Sequence, residues 1–148
     1  MPVIRDPTAA DEKAWRNLWS QYNKHYRVVI PGTVTDRTWQ RILDPASPIF
    51  GRLAIINGSV AGFSVSVLHE ATWTTKPVCS LEDLFVEPPY RSRGCGRQLV
   101  QDLMDRAKSK GWSRLYWHTD PDNPARRLYD RFVLADDLVR YRLVLSAE

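Results

Sequence analysis

The chain has 148 residues, 43% of them hydrophobic and 26% charged, with a net charge of +4. That length and balance fit one soluble globular domain over residues 1–148, with a single sizeable core that needs no staples. No long apolar run or signal-peptide pattern stands at the N-terminus, so a membrane span is not expected and the cytoplasm is the default address.

Val3-Ile4-Arg5 reads as a short first strand. Thr8 can cap a helix whose Trp15, Leu18, Trp19 and Tyr22 repeat on one face. Pro31-Gly32 breaks the chain, and a second short helix is predicted from about Asp36 to Leu43. Phe50 to Ile56 reads as a strand, Asn57-Gly58 as a hairpin turn and Val60 to Leu68 as the returning strand. A further strand is predicted from Cys79 to Val86, closed by Pro88-Pro89. A helix from Gly94 to Lys110 and a strand from Ser113 to His118 complete a crossover unit. A helix around Arg126–Arg131 and a closing strand from Leu138 to Leu145 end the chain. No internal repeat or low-complexity stretch appears.

The most informative stretch is Arg91-Ser92-Arg93-Gly94-Cys95-Gly96, between that apolar strand and the helix carrying Leu99, Val100, Leu103, Met104 and Ala107. Two glycines let the backbone turn tightly and approach a ligand closely. The free N–H groups of the helix start favour an anion, and Arg91, Arg93 and Arg97 add cations. The pattern suits a pyrophosphate. It is not a Walker loop, because Gly96 is followed by Arg97-Gln98 rather than Lys-Ser/Thr. It is not the dinucleotide fingerprint, because the third glycine position is Leu99. Cys95 lies in this loop and reads either as a reactive thiol at a helix start or as a small residue between two glycines. With Cys79 it forms neither a metal-ligand spacing nor a disulfide framework, and no metal is expected.

The Arg-x-x-Gly-x-Gly loop resembles the acetyl-CoA loop of the GNAT superfamily of N-acetyltransferases. A second stretch, Asp122-Asn123-Pro124-Ala125-Arg126-Arg127-Leu128-Tyr129-Asp130, is similar to that superfamily's later signature, an Asn and Ala followed by Leu-Tyr. His69-Glu70-Ala71-Thr72-Trp73 and Leu81-Glu82-Asp83-Leu84-Phe85-Val86 resemble the spermidine/spermine and histone-and-polyamine acetyltransferase branch. The resemblance spans nearly the whole chain. It implies an α+β fold: a mixed, mostly antiparallel twisted sheet of six to seven strands flanked by about four helices. It also implies acetyl-CoA as cosubstrate, a small-molecule primary amine as acceptor and a homodimer. Two other readings are a protein lysine (histone-like) acetyltransferase and an acyl-CoA-binding regulatory module without turnover. Nucleic acid is not expected as a partner, since no recognised DNA- or RNA-binding motif accompanies the charge. A membrane is not expected either.

Acetyl transfer to an amine requires a proton acceptor for the ammonium, support for the carbonyl oxygen and a proton for the departing thiolate. Glu82 and Asp83 are the candidate acids: two carboxylates inside an apolar strand are expensive to bury without partners. Strand alternation should send them to opposite faces. By resemblance Glu82 is catalytic, holding the amine and accepting its proton directly or through water. Asp83, Tyr26, Trp117 and His118 join it in the substrate site. Tyr129 is the matching proton donor to the sulfur, a phenol being neutral at working pH. The resemblance gives the coenzyme Leu84, Phe85 and Val86 through their backbone, then Arg91, Ser92, Arg93, Gly94, Cys95, Gly96 and Arg97. Asn123, Ala125 and Arg126 complete that set, and Asn123 also reads as a helix cap before Pro124. The exit of the first helix, Tyr22-Asn23-Lys24-His25-Tyr26, lacks the acid that polyamine enzymes carry there. A mono- or diamine, or a lysine-like amine, then fits better than a long polyamine. Trp39, Trp73 and Trp112 read as core or interface anchors.

Overall fold

The computed structural model describes residues 1–146. The chain divides into two compact units, the first covering Met1–His118 and the second beginning at Thr119.

The first unit is built on a five-stranded sheet in the order β1 (Val3–Arg5), β2 (Ile49–Ile56), β3 (Ser59–Ala71), β4 (Thr74–Val86), β5 (Arg114–Tyr116). All neighbours are antiparallel except β4 and β5, which run parallel. The helices α1 (Glu12–His25), α2 (Gly32–Leu43) and α3 (Cys95–Lys110) cover the sheet. Alternation along the strands separates two cores. Trp15, Leu18 and Trp19 of α1, with Trp39 and Ile42 of α2, pack on Leu53, Phe63, Val65 and Phe85. On the other face, Cys95 and Leu99 of α3 pack on Ala54 and Ala61, with Leu84 and Val86 alongside. The helical spacing of the tryptophans therefore does what the sequence implies, stacking Trp15 between Trp19 and Trp39 with ring centroids 5.1 and 5.2 Å away.

Charged pairs pin the corners. Asp11, at the entry to α1, accepts hydrogen bonds from Arg5 of β1 and from the Thr8 N–H, which hold its carboxyl at about 2. Arg52 of β2 bridges Asp6 and Asp102 of α3.

Some boundaries differ from expectation, β5 among them, which covers Arg114–Tyr116 rather than Ser113–His118. The α2 helix starts at Gly32, not near Asp36, because the Pro31 carbonyl accepts the N–H groups of Val34 and Thr35. Pro31-Gly32 opens the helix instead of separating it from the preceding chain. The β3–β4 hairpin extends past the apolar alternation to a Thr72-Trp73 turn, since ladder hydrogen bonds continue where the side chains have become polar. The Asn57-Gly58 turn forms as predicted, with φ of 49° and 78°.

In the second unit, α4 is the short Arg126–Tyr129 helix, followed by turns as far as Val133. The closing strand predicted for Leu138–Leu145 does not form among the described residues, so the sheet has five strands and not six to seven. Leu138, Val139, Tyr141, Leu143 and Leu145 are each at least 77% exposed. Alternating apolar residues favour an extended chain, but a strand exists only where its backbone finds a ladder partner. No described strand pairs with this stretch.

Candidate active site

The site begins with an irregularity in β4. Val65 of β3 pairs with Asp83, but its neighbour Ser66 pairs with Leu81, leaving Glu82 as an extra, unpaired residue in a β-bulge. The bulge overturns the expectation that Glu82 and Asp83 face opposite sides. Asp83 is opposite Val65 and Ser80 is opposite Val67, so Asp83 and Ser80 share a face. The Ser80 hydroxyl donates to Glu82 Oε1 at 2.7 Å, which draws the Glu82 carboxylate to that same side. Two acids thus stand together where regular pleating would have parted them.

Their surroundings differ. Glu82 is exposed, whereas Asp83 is half-buried and bonded to Tyr22 of α1. Burial pushes the Asp83 carboxyl up to about 6; a hydrogen bond from the Tyr22 phenol opposes this, and the charge on Glu82 adds to the rise. No Lys or Arg pairs with either acid among the described residues. Tyr22 also lies edge-on to Phe85, with centroids 6.0 Å apart, and against Tyr26 at 4.9 Å. His25 contacts both Tyr26 and Phe85. Of the predicted substrate residues, Asp83 and Tyr26 therefore share one aromatic cluster through Tyr22. Tyr22 and His25 are the residues that the sequence reading did not place there. Tyr22 reads as part of the Trp15/Leu18/Trp19 face, and only its phenol, at the end of an otherwise nonpolar stripe, hints at a polar partner.

The opposite edge of β4 is open over the same residues. The ladder with β5 covers only Val78, Cys79 and Ser80. Trp117 follows the last paired residue, Tyr116, and so stands where the two strands part. His118 lies against Tyr116, whose hydroxyl meets His69 Nε2 at 2.9 Å. Beyond Ser80, no strand among the described residues pairs with β4 on this side. The Glu87 N–H donates to the Ala61 carbonyl, so Glu87, Phe85 and Asp83 direct their backbone groups towards β3. Leu84 and Val86 direct theirs towards the open edge, and the Val86 carbonyl accepts a hydrogen bond from Arg91 Nε at 2.9 Å. Phe85 is thus the exception among the three residues expected to offer backbone groups.

The chain then turns through Pro88–Tyr90 into the glycine loop. Ser92 and Gly94 both adopt left-handed conformations, with φ of 63° and 82°. Alternating handedness of this kind turns successive N–H groups towards one point and creates an anion-binding concavity. The first intrahelical bond of α3 runs from Gln98 N–H to the Gly94 carbonyl, so the N–H groups of Cys95, Gly96 and Arg97 precede the helical ladder. Arg93 lies over the Tyr90 ring, and Arg97 is exposed on the first turn. Cys95 is 2% exposed and its thiol is pushed up by burial, the behaviour of a packed small residue.

In the second unit, Asn123 caps the approach to α4. Its Oδ1 accepts the Ala125 N–H at 2.9 Å and its Nδ2 donates to Thr119. Arg126 donates to the Pro121 carbonyl, and Tyr129 occupies the last position of α4.

Comparison with known proteins places this geometry. The model of the acetyltransferase (GNAT) family matches residues 11–133. The D-amino-acid N-acetyltransferase HPA3 of Saccharomyces cerevisiae is 32% identical over 143 residues, 95% of this chain and 89% of that protein. Thialysine N-epsilon-acetyltransferase of Caenorhabditis elegans is 32% identical over 83 residues, 55% of this chain and 51% of that protein. Among solved structures, AAC(6')-Iy in complex with a CoA bisubstrate analogue has a TM-score of 0.80 at 23% identity, covering 98% of this chain and 99% of that one. This last match is a similarity of fold. The chain belongs to the acetyltransferase (GNAT) family, and it is an acyltransferase that acts on amines.

Proposed function

We propose that the protein transfers an acetyl group from acetyl-CoA to the primary amine of a small molecule by direct attack, without a covalent enzyme intermediate. The observation that carries this reading is the bulge that pairs Glu82 with Asp83 on a strand whose far edge is open and which leads into an anion-binding turn. When bound, acetyl-CoA supplies the acyl carbon for attack and the thiolate that departs.

The residues fit that ligand. The backbone of Ser92, Arg93, Gly94, Cys95, Gly96 and Arg97 holds the pyrophosphate. Leu84 and Val86 offer outward N–H and C=O groups to the extended arm, as a neighbouring strand would. By resemblance, Asn123, Ala125 and Arg126 also serve the coenzyme. Glu82 and Asp83 hold the incoming ammonium and take one of its protons, directly or through water; a second proton leaves the nitrogen once the amide bond has formed. Tyr129 donates its phenolic proton to the departing sulfur, and the net reaction releases one proton. A carboxyl titrating at about 6 accepts a proton near neutrality far better than one at its ordinary value. Two acids at the bulge and none at the exit of α1 suit a mono- or diamine or a lysine-like amine better than a long polyamine.

The test combines calorimetric titration with acetyl-CoA and thiol release over polyamines, diamines, amino acids and aminoglycosides. Glu82→Gln and Tyr129→Phe should each lower turnover by about tenfold or more while coenzyme affinity is kept. Unchanged turnover removes that residue from the mechanism, and failure to bind acetyl-CoA refutes the assignment.

A further inference from the structure

Tyr22 ends the tryptophan face of α1 with a polar group. Its ring stacks on Trp19 with centroids 5.6 Å apart, lies edge-on to Phe63 and Phe85 at 5.8 and 6.0 Å, and meets Tyr26 at 4.9 Å. The β3–β4 ladder explains what the phenol then reaches. Phe63 is opposite Phe85 and Val65 is opposite Asp83, so the two pairs follow one another on the α1 face. A ring held against the first pair carries its hydroxyl towards the second, and there it donates to the Asp83 carboxylate.

The other groups around Asp83 oppose its charge or leave it unmatched. Burial strips water from the carboxylate, and Glu82 adds a like charge from the same strand. The Ser80 hydroxyl is directed to Glu82 instead. From β3 come Phe63 and Val65, which bring no charge. On α1, His25 rests against Tyr26 and Phe85, and Gln21 donates to Glu87 beyond the end of β4. Arg91 lies over the Phe85 ring with its Nε on the Val86 carbonyl. No lysine or arginine forms a salt bridge with Asp83 among the described residues.

A phenol stays protonated across the working range and offers one donor, whereas an ionised carboxylate only accepts. A donor fixed by packing therefore favours the ionised acid over the protonated one, and it fixes the direction of the carboxylate as well. We propose that Tyr22 is a positioning residue for the acceptor site, holding Asp83 ionised and leaving the rest of its carboxylate for the incoming amine. Without this bond, burial and Glu82 would keep a larger share of Asp83 protonated near neutrality, where it cannot take a proton from the ammonium. The inference rests on the acetyltransferase reading above and adds to it the group that sets the working pH of the acid.

The experiment compares the wild type with Tyr22→Phe, which keeps the ring and its packing and removes only the hydroxyl. In the ligand-free protein, the Asp83 carboxyl is followed by carbon-13 NMR of labelled aspartate and assigned by its loss in Asp83→Asn. Its midpoint, about 6 in the wild type, should rise by about one unit in Tyr22→Phe. Thiol release with acetyl-CoA in excess, on the best amine of the panel above, should show the acid limb of kcat/KM moving with it. The ratio of kcat/KM at pH 6 to that at pH 8.5 should then fall about fivefold. Because the ratio is taken within one variant, altered folding or coenzyme affinity cancels. A merely structural tyrosine would leave midpoint and ratio where they were, and that result overturns the inference. A midpoint that moves while the acid limb stays also overturns it, because Asp83 is then not the group whose ionisation governs the reaction. Absence of turnover with every amine refutes the acetyltransferase reading, and the NMR midpoint alone then decides whether Tyr22 holds Asp83 ionised.

Discussion

Asp83→Asn should make the protein more stable and less active, and pH should separate the two effects. Burial pushes the Asp83 carboxyl from 3.8 to about 6, against the Tyr22 hydrogen bond and with help from Glu82. The folded chain therefore keeps a proton that the unfolded chain has already lost between about pH 4 and 6. The favourable contribution is present in acid and disappears as pH rises through about 6; above that, the folded state carries a charge that the unfolded state carries more cheaply. At ~1.4 kcal/mol per pKa unit, a rise of about two units costs about 3 kcal/mol at pH 8 and about 1 kcal/mol near pH 4.5. Asparagine keeps the shape and an acceptor for Tyr22 but has no charge to bury. Urea denaturation of the full chain should show Asp83→Asn more stable at pH 8 by up to that amount, with the gain shrinking to a third at pH 4.5. Steady-state turnover of the same variant should fall sharply. An equal stability change at both pH values, or a loss of stability at pH 8, would show that the carboxyl is not held against its ionisation.

Three further outcomes rest on other parts of the first unit. A Cβ at Gly62 would lie 2.7 Å from the Phe85 carbonyl oxygen, so Gly62→Ala must push β3 from β4 beside the site. It should cost about 2 kcal/mol in thermal denaturation, and an unchanged midpoint would refute the close approach. Arg52→Met leaves the Asp102 carboxylate, 15% exposed, without its two guanidinium hydrogen bonds at 2.9 Å. The cost should be about 3–5 kcal/mol, with a large part recovered when Asp102→Leu is added. Gly94 has nothing within 4 Å of a built Cβ but a φ of 82°, so Gly94→Ala is strained by its backbone and not by crowding. It should lose about 1 kcal/mol of stability and weaken coenzyme binding in a calorimetric titration, and Gly94→Asn should recover part of both.

What the sequence made legible follows from the range of the interactions involved. The turn at Gly94 and the start of α3 could be read directly, because both are properties of adjacent positions, whereas the left-handed Ser92 could not. The tryptophan face of α1 could be read for the same reason, since its period lies in the chain. The bulge at Glu82 could not. It arises from a register shift against β3, and Leu81-Glu82-Asp83-Leu84 gives no local sign that one residue is unpaired. Local rules assigned the two acids to opposite faces, and a pairing between distant segments put them together. The Leu138–Leu145 stretch shows the converse: its alternation is present in the sequence, but no described strand offers the partner that would turn alternation into a ladder. Arg91 lies between these cases. The loop motif identifies it as a cation near a helix start, but its contacts with Val86 and Phe85 have no local sign in the sequence.

The bulge also resolves a conflict built into β4. The strand must hold the middle of the sheet through Phe85, whose ring sits in the tryptophan core, while, on the function proposed above, offering polar groups to both coenzyme and amine. A regular strand shared between two neighbours has no spare backbone groups and only one face per side chain. Parting from β5 after Ser80 frees the edge groups of Leu84 and Val86 without disturbing the β3 ladder that carries the core. The extra residue at position 82 then brings two carboxylates to one face without displacing Phe85 from the other core residues. Deleting Glu82 should therefore be more damaging to activity than Glu82→Gln, because it removes the bulge together with the side chain and leaves a regular ladder in which Leu81 stays opposite Ser66 and Asp83 opposite Val65. A deletion variant that folds and retains the turnover of Glu82→Gln would mean that the carboxylate of Glu82 matters and the bulge that delivers it does not.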